Sequence, residues 1–228
     1  MVGMRDGWTV LRDFMEMLAT EGRHKAIYRG QANSDWETIP SGFRGSGMGI
    51  SNEHRLNDWK WRAARFASPI PQDSVEWLIM AQHYGLATPL LDWTTSPLVA
   101  LYFACASDEQ ANLDGCVWIS GINSFQVVHD TLMMDPFSDT REKPFLVNAV
   151  GRNVRSTAQD SILTLHTSVD YNSFDRKRLY TVPADRKTAV LNQLEKLGVT
   201  GDRLLYDIGH LVKAMKAEYA GRQAFATA

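Results

Sequence analysis

Cysteine is scarce in this chain, and so is every short motif that ordinarily announces a reaction. Two cysteines, Cys105 and Cys116, stand among 228 residues. They give neither a disulfide framework nor the paired spacing of a zinc site, and both read as small buried hydrophobes of a reducing compartment. The six histidines are too scattered to put two on one helix face, so the sequence implies no metal site. No glycine-rich phosphate loop leads into a helix, and no nucleophile elbow is present. A Ser96–His83–Asp92 triple can be written on paper, but a chain of this size offers many such triples.

Charge of one sign is lacking as well. With 24 basic and 26 acidic residues the formal net charge is -2, which removes a global basic field as an argument for nucleic-acid binding. No apolar run approaches the roughly 20 residues of a bilayer-spanning helix, and Met1–Trp8 holds no apolar core of signal-peptide length. The expectation is a cytoplasmic protein with no membrane partner. Hydrophobic residues make up 44% of the chain and charged residues 22%, ordinary values for a folded protein able to bury a core. With no repeats and no convincing linker, one domain is expected over residues 1–228, with its core at about 8–220.

Polar chemistry concentrates in one place, the stretch from Gln82 to Ala104. His83, Tyr84, Asp92, Trp93, Thr94, Thr95 and Ser96 precede a helix start in which Ser96 caps and Pro97 fills the first turn. Leu98–Ala104 is apolar nearly all round, so that helix should be buried and should carry the polar residues inward with it. Buried polar groups need partners or a ligand. A satisfied structural network and a binding site are both open readings of the stretch.

Around it the hydrophobic period predicts an α+β chain. Helices are expected over Trp8–Leu18, Asn52–Ala67, Asp73–Gln82, Asp185–Leu197 and Leu204–Ala220. Strands are expected at Ala26–Gln31, Cys116–Ser120, Phe145–Val150, the second half of Arg155–His166, and Arg178–Pro183, the last at an edge because of its proline. Leu86–Trp93 reads as a short extended segment, and Asn123–Lys143 as loop with a short helix. Arg29 beside Gly30 at a strand end either presents its fork to an anion or pairs with a core aspartate. The helix bearing Arg55, Lys60, Arg62 and Arg65 has a solvated basic face or a polyanion contact.

Tyr28-Arg29-Gly30-Gln31, Gln82-His83-Tyr84-Gly85-Leu86, Leu90-Leu91-Asp92-Trp93-Thr94 and Pro97 through Ala104 together resemble the FRG domain family, named for its Phe/Tyr-Arg-Gly motif. Asn153-Val154-Arg155, Ala158-Gln159 and Leu163–His166 are similar to that family's third block, so the resemblance runs over roughly residues 26–215. The chain departs from the family pattern at Pro89, where an arginine is usual, and at Asp160-Ser161, where a Gln-Gly pair is usual. The family resembles, more distantly, the ADP-ribosyltransferase fold. Arg29, the Thr94–Ser96 segment before its helix, and Gln159 fall in that fold's motif order.

The resemblance implies an α+β, ADP-ribosyltransferase-like core with NAD as substrate. Arg29 and Gly30 would meet the pyrophosphate or a ribose-proximal phosphate, Thr94 and Ser96 would brace the nicotinamide ribose, and Tyr84 or Trp93 would stack on the nicotinamide. His83 would act as base for the acceptor. Gln159 cannot supply the negative charge that an oxocarbenium-like transition state requires, so Asp160 or Asp92 would have to, although Asp92 reads more readily as a buried scaffold partner for Arg29 or for backbone amides. Such a protein would be an effector, a toxin or defence factor, that modifies a macromolecule and has an antitoxin or other protein partner. The alternatives are a non-catalytic module that binds a nucleotide or partner, and an RNA-binding protein or nuclease using His83 and the basic helix.

Overall fold

The computed structural model describes residues 3–22, 25–45, 49–132, 134–139, 142–148 and 160–205. Helix α1 (Gly3–Thr20) buries Val10, Leu11 and Phe14 at helical spacing. It leads into strand β1 (Ala26–Gln31). Helix α2 (Glu53–Ala63) starts where Asn52 accepts the Arg55 amide, 3.0 Å, and it tightens into a 3-10 turn over Ala64–Phe66. Helix α3 (Ser74–His83) starts where Asp73 accepts the Glu76 amide, 2.8 Å. Both starts are side-chain N-caps that satisfy orphan amides. Strand β2 (Leu90–Thr94) then enters helix α4 (Pro97–Cys105), capped by Ser96 at the Val99 amide. The remaining elements are β3 (Gly115–Gly121), β4 (Gln126–Val128), β5 (Phe145–Asn148), β6 (Ser161–Leu165), β7 (Lys177–Val182), α5 (Lys187–Lys196) and α6 (Gly201–Leu204).

Seven strands form one mixed sheet in the order β4-β5-β6-β2-β1-β3-β7. Every pairing is antiparallel except β4 with β5. The chain is therefore α+β, and β7 lies at an edge, as Pro183 predicts. The segment expected as loop with a short helix instead contributes β4, after a 3-10 turn at Ile122–Ser124. Three residues are too few for alternation to show, and what makes β4 a strand is its parallel register on β5, with Gln126 opposite Phe145. The expected closing helix beyond residue 205 lies outside the described residues.

The helices α3 and α4 share one side of the sheet. Tyr28 of β1 stands opposite Thr94 of β2, so by strand alternation Tyr28 and Gly30 share a face with Leu90, Asp92 and Thr94. Helix α4 packs on β1 and β3 in a core with α1 and α5 (Phe14, Leu101, Ile119, Leu194). Helices α2 and α3 pack beyond it on Leu90, Leu163 and Leu165. The opposite face carries a smaller cluster of Ile27, Leu91, Trp93, Phe125, Leu146 and Phe174.

Two glycines let α4 come close. A Cβ on Gly30 would stand 1.9 Å from the Ala100 carbonyl oxygen, and one on Gly115 would stand 2.0 Å from that of Ala104. Neither is a contact that a small shift could relieve, because the obstruction is helix backbone. Gly115→Ala is accordingly expected to destabilise by at least about 1–3 kcal/mol, the cost of overpacking, read as a lower urea midpoint with an unchanged slope.

Helix α4 ends at Cys105, 3% exposed. Burial pushes its thiol from 9.0 up to about 12, with the Lys187 charge pulling the other way. Here the folded pKa is the higher one, so this group's stabilisation is complete below about pH 9 and is lost as pH rises toward 12. Cys105→Ala is expected to flatten the fall of stability over that alkaline window, measured by urea unfolding at stepped pH. An unchanged alkaline slope would show that the thiol does not carry the linkage.

Candidate functional site

The ladder between β1 and β2 is nearly absent. Bonds from β2 to β6 fall on its odd-numbered residues, bracketed by His166 N–H to Pro89 C=O (3.0 Å) and Thr95 N–H to Asp160 C=O (3.1 Å). The peptide groups of Asp92 therefore face β1. Yet β1 and β2 share a single pair, Tyr28 with Thr94, and beyond it the strands fork. A cleft of ≈ 400 Å³ opens over this fork, with Gln82 and His83 of α3 on one side and Phe103 of α4 on the other. That is the volume scale of small-molecule sites.

Arg29 fills the fork. Its Nη1 donates to the Asp92 carbonyl at 2.7 Å, taking an acceptor that a regular ladder would have given to a β1 amide. The same Nη1 stands 4.0 Å from the Asp92 carboxylate, and the side chain is 17% exposed. Its Nε is buried with no hydrogen-bond partner among the described residues. Burial lowers the pKa of this guanidinium, the Asp92 charge opposes that, and Arg44 lowers it further. Such a group has lost hydration without full compensation, and an incoming anion would supply what is missing.

The Asp92 carboxylate is 59% exposed, which corrects the expectation of a buried scaffold partner. It accepts from Gln82 Nε2 at 2.6 Å, and it is the only carboxylate lining the cleft among the described residues. Gln82 is aimed in turn by Thr88, whose hydroxyl donates to Gln82 Oε1 at 2.8 Å. Thr88 is fully buried and ties three walls together. Its Oγ1 also accepts the Leu90 amide at 3.3 Å, its amide donates to Ser41 Oγ at 3.1 Å, and its carbonyl accepts the Gly42 amide at 2.8 Å. The last two bonds fix a 3-10 turn, Ser41–Phe43, that delivers Arg44 to the cleft.

Of the residues singled out in the sequence, Arg29, Gly30, His83, Asp92, Trp93 and Thr94 line this cleft. Ser96 does not line it and serves as the α4 cap. Tyr84 lies past the end of α3, 73% exposed, with its ring edge-on to His83. The Trp93 indole belongs to the opposite face, where it donates to Thr164 Oγ1 at 3.0 Å beside Phe125 and Phe174. Asp160, in a left-handed conformation with φ 48°, lines a separate recess with Thr95, Val127, His129 and Ile162. Gln159 lies outside the described residues. Sequence reasoning missed Trp36, Arg44 and Phe103 and gave Gln82 no role; all four line the cleft. An arginine just after Pro40-Ser41-Gly42-Phe43 carries no local signal, because only the Thr88 contacts bring that turn to β2.

The basic segment around α2 is engaged locally. Arg55 donates to the Gly49 carbonyl (2.7 Å), Lys60 to Ser74 (2.9 Å), and Arg62 to Asp58 (2.9 Å), while Arg65 lies over the Phe66 ring. Among the described residues no group of three or more His, Cys, Asp or Glu side chains could hold a metal ion. No described helix is long and apolar enough to cross a membrane.

If Thr88 is the tie just described, Thr88→Val should cost about 1–3 kcal/mol, because it strands the Leu90 amide without filling or emptying space. Thr88→Ser keeps the hydroxyl and should cost less. Equal losses in the two variants, by denaturant midpoint, would assign the role to packing instead.

Residues 24–113 match the family model of the FRG domain. That segment carries every residue of the cleft lining except Ser161 and Leu163, and it leaves the third block, Asn153–His166, outside the match. No curated protein matches the chain, and no solved structure does.

Proposed function

From the premise that the chain carries an FRG domain at residues 24–113, we propose that the cleft over the β1–β2 fork binds an anionic nucleotide, with NAD as the candidate substrate of an ADP-ribosyltransferase-like reaction. The observation that carries the proposal is the under-compensated Arg29 guanidinium on the cleft floor, with its buried Nε unpartnered among the described residues. A fork of this kind suits bidentate recognition of phosphate.

In the transfer itself, the bond between the ribose anomeric carbon and the nicotinamide nitrogen breaks, and its electron pair leaves with nicotinamide. The acceptor's nucleophile bonds to the anomeric carbon, and its proton passes to His83. Asp92 is the carboxylate available to face the developing positive charge, the part that Gln159 cannot play. The acceptor would be an intracellular macromolecule, and the protein an effector of the toxin or defence type with a protein partner that restrains it.

A binding-only reading has its own support. The third-motif carboxylate neighbour, Asp160, lines a different recess, so the cleft could hold a nucleotide without turning it over. Calorimetry with NAD, followed by nicotinamide release and label transfer to cell extract, separates the two readings. Wild type is expected to bind NAD, and Arg29→Ala to lose binding. Arg29→Lys should weaken it by about tenfold or more, because a point charge replaces a fork. Absence of binding at millimolar NAD would sink both readings; binding without release or transfer would leave the module reading.

A further inference from the structure

Arg29 is not the only guanidinium in the cleft. Arg44 lines it too, and the two reach it from unrelated parts of the fold, Arg29 from β1 and Arg44 from the turn after Ser41–Phe43. Arg44 is fixed at its root. Its Nε donates to the Ile39 carbonyl at 3.0 Å, and among the described residues its terminal amino groups make no further bond. The turn that carries it is in turn bonded to Thr88. The side chain is solvent-exposed, and this bond ties it down at the Nε.

Two guanidinium groups against one carboxylate leave the lining with a positive excess. Burial lowers the pKa of both, and Arg44 adds to the lowering at Arg29. Like charges held together in a partly water-excluded cleft cost free energy, and among the described residues Asp92 is the one carboxylate of the lining that opposes that cost. One phosphate satisfies one fork bidentately; two forks on separate elements match two phosphates. Trp36 is also in the lining and 42% exposed, which leaves aromatic surface available to a base.

We infer that Arg44 is the second prong of a diphosphate clamp, with Arg29 and Arg44 each taking one phosphate of a nucleoside diphosphate moiety, so that the cleft selects diphosphate-bearing nucleotides over monophosphates. The inference rests on the nucleotide reading of the cleft given above and adds to it the ligand class and a residue that sets specificity.

The test is calorimetry of the full chain with ADP and with AMP, for wild type, Arg44→Ala, Arg44→Lys and Arg29→Ala. Wild type is expected to prefer ADP. Arg44→Ala should weaken ADP by about tenfold or more, the worth of a lost charge-assisted pair, and leave AMP unchanged, so that the preference collapses. Arg44→Lys should fall between them, and Arg29→Ala should weaken both ligands. An equal loss of ADP and AMP in Arg44→Ala would overturn the clamp, since it would mean that both arginines serve one phosphate or that Arg44 only shapes the wall. No loss of either would overturn it as well. In both cases binding by wild type would leave the nucleotide reading standing. If wild type binds neither ADP nor NAD, the nucleotide reading falls and the clamp falls with it.

Discussion

The fold depends on how closely one apolar helix can approach a sheet. Helix α4 lies with its backbone against β1 and β3, at a separation that only glycine at Gly30 and Gly115 permits. That contact brings α4, α1 and α5 into one core and leaves α3 to cover the neighbouring strands. The gap between α3 and α4 is the cleft. Gly30 thus owes its identity to the helix above it, whatever ligand the cleft takes, because dispersion and burial at this interface tolerate no Cβ.

Within the cleft, polarity is arranged in series. Thr88 sets Gln82, Gln82 sets Asp92, and the main chain of Asp92 sets Arg29. The series starts from a buried hydroxyl and runs out to an exposed carboxylate, and a series of that kind fixes orientation more firmly than any single bond in it. The Thr88 amide and carbonyl hold the Arg44 turn as well, so both guanidinium groups are referred to one buried threonine. A buried hub places these groups more firmly than the long Arg29–Asp92 ion pair could alone, since partly exposed ion pairs contribute little.

Much of this was legible in the sequence where the signal is local. Ser96 with Pro97, Asn52 and Asp73 announce helix starts, and the short run stopping at Gly30 and the apolar run after the Asp114-Gly115 turn announce strands. Tyr28-Arg29-Gly30-Gln31 with the Gln82–Ala104 stretch was enough to point to the FRG domain, and it marked Arg29, His83 and Thr94, which share the cleft. What was not legible is what depends on distant pairing. Strand β4 is three residues long and exists through β5. Trp93 and Asp92 are neighbours on one strand, so alternation must send one to the cleft and the other to the opposite core, but the sequence does not say which. Arg44 gives no sign of its place because the contacts that put it there are made by a residue more than forty positions away.

The fork beside Arg29 also bears on how the sheet is held together. Four strands, β4-β5-β6-β2, lie on one side of it and three, β1-β3-β7, on the other, and the main-chain seam between them is a single rung at Tyr28 and Thr94. What joins the two halves besides that rung is side-chain packing, Ile27 against Leu91 and Trp93 on the face away from the cleft. Arg29 belongs to one half by its backbone and grips the other by its side chain. It therefore acts as a stitch across the seam, replacing with a side-chain bond a main-chain rung that the strands do not make.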